Sequence, residues 1–209
     1  QVTGSSDADD EFVELYNPTE NPVSLNGWRL TKKVSGGTET NLIASMSGNI
    51  ASHGYFLVAK PGAAIGVTPD EVYSAASNSL AVNNTVLVYD NALVLKDKVG
   101  MGTATDNETV TIVSPTAGQS VERKANSTST VGSMTTGVDQ NMGNGEDTDN
   151  NANDFVVRTV SDPQNSSSVL EPITATPTPT PTLVPSPTPT STPSGTPTAT
   201  ASTSPTPTP

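Results

Sequence analysis

The sequence predicts an all-β protein: a β-sandwich followed by a disordered, Pro/Thr-rich C-terminal tail. Three observations carry that prediction. About eight or nine short segments rich in Val, Leu, Ile and Tyr recur roughly every 8–15 residues, which is sandwich spacing. No segment holds the apolar period of an amphipathic helix. From Pro172 onward the chain is almost entirely Pro, Thr, Ser and Ala. Such a composition cannot bury apolar surface, and it favours extended, unfolded chain. The predicted division is a folded domain over residues 1–168 and a linker or stalk over residues 169–209.

Taken in order, Gln1-Val2-Thr3 reads as the last part of a strand, and residues 3–10 as an acidic loop. Glu11–Tyr16 alternates and is rich in β-forming types. Asn17–Pro22 then accumulates turn formers and two prolines, which exclude continued pairing in a central strand. Asn26-Gly27 is a tight-turn signal, and Trp28–Thr31 alternates again. Val13 and Leu15 share one face, as do Trp28 and Leu30, and these four seed the expected core. Further strands are expected at Asn41–Ala44, Gly54–Lys60, Thr85–Asp90, Ala92–Val99, Val110–Val113, Gln119–Lys124 and Phe155–Arg158. In the second of these, Tyr55, Leu57 and Ala59 face one way and Phe56 and Val58 the other. Residues 63–84 give no clear period, although Pro69-Asp70-Glu71 can open a helical turn. Ala125–Asn153 reads as a long polar loop.

Charge narrows the function. The chain carries 21 acidic and 9 basic residues, a formal net charge of −12, and all of them precede Pro172. That balance repels nucleic acid and anionic lipid, since both need a basic footprint. The absence of cysteine removes disulfides, thiolate metal sites and a cysteine nucleophile. No apolar run approaches the length of a membrane span.

Candidate chemistry is sparse. His53, the single histidine, has no G-x-S-x-G serine to activate, so a solvent-exposed turn role is expected. Glu11 and Glu14 stand three apart, on opposite faces of a strand, and cannot converge on one bond as paired acids. The expectation is a solvated Glu11, and a Glu14 hydrogen-bonded to a neighbouring loop. Trp28 can be read as a carbohydrate platform, but its place beside Leu30 favours the core. The segment Glu146–Asp154 offers hard oxygen ligands at Asp147, Asp149, Asn151 and Asp154, a calcium-loop spacing. It lacks the EF-hand glycine and closing glutamate, and its competing reading is an Asx-rich connector capping its own backbone. Asn83, Asn107, Asn126 and Asn165 head formal N-glycosylation triplets.

The order EFVELYNP, LNGWRL, ASHGYFLVAKPG, DKVGMG, GQSVERK and NGEDTDNNANDFVVR, then PQNS, resembles the lamin tail domain as found in secreted and surface proteins of bacteria. The likeness covers roughly residues 1–166. It implies an immunoglobulin-like β-sandwich, agreeing with the strand count. It also implies a hydrophobic first strand of which only Gln1-Val2 is present, leaving a partly unpaired edge. The expected function is a non-catalytic interaction or attachment module, monomeric and extracellular or at the cell surface. Its partner would be a protein, a polysaccharide or a cell-envelope component. The expectation includes no cofactor unless the acidic loop takes calcium. The alternatives are an accessory domain of a secreted nuclease or phosphatase, and a calcium-stabilised spacer.

Overall fold

The computed structural model describes residues 1–3 and 10–172, so most of the acidic loop and the tail from residue 173 lie outside the described residues. The described elements, in chain order, are β1 (Val2–Thr3), β2 (Phe12–Tyr16), β3 (Val23–Ser24), β4 (Arg29–Lys33), β5 (Glu39–Ile43), β6 (Asn49–Ile50), β7 (Tyr55–Ala59), β8 (Glu71–Val72), β9 (Thr85–Tyr89), β10 (Leu95–Gly100), β11 (Ser120–Arg123), α1 (Val131–Thr136), α2 (Asn151–Asp154) and β12 (Phe155–Arg158). They form a six-stranded sheet of order β12-β11-β1-β2-β7-β8, a four-stranded sheet of order β10-β9-β4-β5, and a small β3-β6 pair. The fold is an all-β, immunoglobulin-like sandwich.

Side-chain alternation builds the core. Val13 of β2, Phe56 and Val58 of β7 and Val121 of β11 face Leu30 of β4, Val86 and Val88 of β9 and Val99 of β10. The opposite face of the larger sheet carries Phe12, Leu57 and Ala59, covered by Ala63, Ile65 and Val67. The alternation expected across Tyr55–Ala59 therefore holds, and both faces of that strand are buried. Leu15 and Trp28 are only half-buried and pack on the margin of the core.

Several expectations are corrected. The strand β1 lies between β2 and β11, with Val2 opposite Val13 and Val121, but it pairs with only two residues of β2 and one of β11. Residues 71–72 form a short strand parallel to β7 instead of a helical turn. The segment Val110–Val113 makes only one bridge, Ile112 to Met101. The polar stretch 125–153 contains α1 and most of α2. In α1 Thr130 and Ser133 form a reciprocal capping box and Met134 is buried, features too short to show a period. Glu11 is buried and accepts the Leu80 amide at 2.7 Å, so it is not solvated. Among the described residues no helix is long and apolar enough to cross a membrane.

Candidate functional site

The acidic loop at 146–154 is organised by two of its own side chains. Asp154, fully buried at the end of α2, accepts the Thr148 hydroxyl at 2.6 Å and the amides of Thr148 and Asn150 at 3.0 and 3.1 Å. Burial penalises its charge, but these hydrogen bonds and Arg123 outweigh it and hold the carboxyl below the ordinary range. Asn151 leaves the loop altogether. Its Oδ1 accepts the amides of Gly100 and Glu108 at 2.8 and 3.1 Å. Its Nδ2 donates to the Lys98 carbonyl at 2.9 Å and to Glu108 Oε2 at 2.7 Å. The side chain thus caps the outer edge of β10, the end strand of the smaller sheet, with every donor and acceptor used.

Of the four residues expected to bind calcium, Asp147 and Asp154 come together, while Asn151 turns to β10. Asp149 sits exposed at φ +55° and its carboxylate makes no hydrogen bond among the described residues. The third carboxylate near the pair is Glu108, from a distant part of the chain. Oxygens of Glu108, Asp147 and Asp154 lie within 4.8 Å of one another. Desolvation, then repulsion from Asp97 and other acids, pushes the Glu108 carboxyl up to about 7.

A guanidinium already stands among these acids. Arg123, at the end of β11, reaches Asp97 on β10 at 2.6 Å, Asp147 at 3.3 Å and the Glu146 carbonyl at 2.8 Å, and lies 4.5 Å over the Phe155 ring. Desolvation opposes its charge, but Asp97 and Asp147 win and raise its pKa. It links the two sheets and lines an apolar cavity of about 390 Å³ whose walls include Val13, Leu15, Trp28, Val88 and Phe155. Trp28 therefore borders a cavity without being fully interior.

A second polar network fastens residues 159–172 over the larger sheet. Glu14 accepts the Gln164 amide, and burial raises its pKa. Glu171 accepts Tyr55 Oη at 2.9 Å and Gln164 Nε2 at 3.1 Å, while Tyr16 donates to its carbonyl. Burial, followed by the Glu171 charge, pushes the Tyr16 phenol up to about 12. Glu122 pairs with the buried Arg158 and also accepts from Asn144. The expectation that Glu14 bonds a neighbouring loop holds. His53 is half-buried, contrary to the exposed turn expected; it has φ +55° and sits 3.2 Å from Glu20 and 3.5 Å from Tyr16 Oη.

Sequence reasoning missed Glu108, Asp97 and Glu171, which gain their partners only when segments distant in sequence meet: Glu108 at Asn151, Asp97 at Arg123 and Glu171 at Tyr55. The sequence matches the lamin tail domain over residues 1–149. The chain belongs to the lamin tail domain family. Strand β12 lies beyond the matched span and completes the six-stranded sheet by pairing with β11. A search for relatives among curated proteins finds no match.

Proposed function

We propose that the chain is a non-catalytic interaction module displayed outside a bacterial cell, where it attaches to a protein, a polysaccharide or another cell-envelope component. One observation carries this reading: the buried carboxylates are already engaged. Glu11, Glu14, Glu122 and Glu171 each accept hydrogen bonds that tie one segment to another, and Asp154 accepts those that hold its own loop. Groups so held stabilise loops and leave binding to the exposed surface. The acidic balance supports a neutral or basic partner over nucleic acid. The test is cosedimentation of the purified chain with isolated bacterial envelopes. Saturable retention, lost on stripping one envelope component, is the expected result. Retention no greater than that of an unrelated acidic domain overturns it. Should the full open reading frame place this domain beside a secreted nuclease or phosphatase, the accessory role replaces attachment.

A calcium-stabilised spacer is the second reading, favoured by the convergence of Glu108, Asp147 and Asp154. It requires Arg123 to release Asp147. It predicts a melting temperature that rises with calcium and falls with EDTA; an unchanged temperature at millimolar calcium removes it.

A further inference from the structure

The β9–β10 hairpin ends in Leu93, Val94 and Leu95, exposed to 63, 53 and 41%, the only run of three large exposed apolar side chains among the described residues. Isolated exposed aliphatics are ordinary, whereas a contiguous run at a hairpin turn is less so. Leu93 also adopts φ +62°, a left-handed conformation that favours glycine and is unusual for a bulky side chain. The turn thus keeps a solvent-facing leucine where its backbone would be more comfortable without one.

The polar groups around Asp90 are bonded within the turn. Asp90 Oδ1 accepts the amides of Ala92 and Val94, both at 2.9 Å. The Asp90 carbonyl accepts the Leu93 amide, and the Asp90 amide donates to the Val94 carbonyl. The Asp90 charge is matched by Lys96 at 3.0 Å. The amides of Ala92, Leu93 and Val94 are thus bonded within the turn and can leave water without being stranded, whereas exposed Asn91 makes no hydrogen bond among the described residues and must stay hydrated.

We propose that Leu93-Val94-Leu95 is an insertion tip for an electrically neutral lipid surface. Three aliphatic side chains at a turn offer far less area than a stable protein interface needs, roughly 800 Å² per partner. They match the shallow insertion of a peripheral anchor. The net charge of −12 selects against an anionic surface, which would repel the rest of the chain. The proposal goes beyond envelope attachment and does not depend on it.

The test is cosedimentation with phosphatidylcholine vesicles, and with vesicles containing added phosphatidylglycerol. The chain partitions onto the neutral vesicles and less onto the anionic ones. Leu93→Asn combined with Val94→Ser weakens partitioning about tenfold, in line with the apolar area removed. Val113→Ser, at an isolated exposed site, leaves it unchanged. The Leu93→Asn variant keeps its melting temperature or gains, because asparagine tolerates the left-handed region, so lost binding cannot be blamed on unfolding. Equal partitioning of the parent and the double variant overturns the proposal. So does tip-dependent self-association by sedimentation velocity without lipid binding, which would assign the tip to contacts between copies.

Discussion

The 146–154 loop and the β9–β10 hairpin tip invert what their compositions suggest. The loop has the acids and amides of a ligand site, yet its two most buried members are occupied with backbone amides and carbonyls. The tip has the aliphatics of a core strand, yet it projects into solvent. Residue type alone therefore does not mark a surface that is open for business with a partner. What distinguishes the regions is whether each group's bonding capacity is already used within the fold.

The largest break in that contrast comes from removing the cation that balances the loop. Arg123→Met deletes the links to Asp97 and Asp147 and leaves Glu108, Asp147 and Asp154 facing one another. The expected loss is about 3 kcal/mol in a urea melt, below the limit for a fully buried pair because Asp97 and Asp147 are partly exposed. Asn151→Ala follows. It strands the Gly100 and Glu108 amides and the Lys98 carbonyl, for about 2 kcal/mol, or roughly 4–8 °C by differential scanning calorimetry. A change within error in either variant would mean that the loop is not fastened as described.

Acidity sharpens the contrast further. Glu108 holds its proton up to about pH 7 in the folded state, against an ordinary value of 4.5. Across that window the folded chain carries more protons than the unfolded one, so stability falls as pH rises and levels off above it. Asp154 has the opposite sign. Its depressed pKa contributes stability above the ordinary aspartate range that is lost as pH falls through the folded value. Glu108→Gln should remove about 1 kcal/mol of the decline between pH 5 and 8, with solvent screening of a half-exposed group allowed for. Glu11, Glu14 and Glu71, whose pKa values burial also raises, contribute to the residual slope with the same sign. A pH–stability curve identical to the parent's would contradict this assignment.

The smallest effect lies at the tip. Leu93→Gly relieves a left-handed leucine and should raise stability by about 0.5–1 kcal/mol, provided that the side chain makes no contact worth keeping. A drop in melting temperature would show that Leu93 supports the hairpin after all.

The division between legible and hidden features follows from the same physics. Glu11–Tyr16 and Gly54–Lys60 were readable because each strand's two-residue period is written in consecutive residues. Their pairing, Val13 opposite Val58, follows from alternation once both are placed. The two-residue strands at 23–24, 49–50 and 71–72 are too short to show any period. Leu93–Leu95 reads as strand because aliphatics dominate it, and only the five-residue turn closed by Asp90 shifts the strand's start to Leu95. In the loop, local spacing suggested four ligands, and the competing reading, a connector capping its own backbone, describes Asp154 well. The role of Asn151 was not legible, because its partners lie 43 to 53 residues away.

Amide hydrogen exchange at Gly100, Glu108, Thr148 and Asn150 tests the central claim most directly, since these four donors are the ones held by Asn151 and Asp154. In the parent chain all four should exchange far more slowly than free peptide. In Asn151→Ala, Gly100 and Glu108 should lose protection selectively while Thr148 and Asn150 keep it. Exchange of all four at the free-peptide rate in the parent would contradict the account, and the acidic loop would then be available to a ligand.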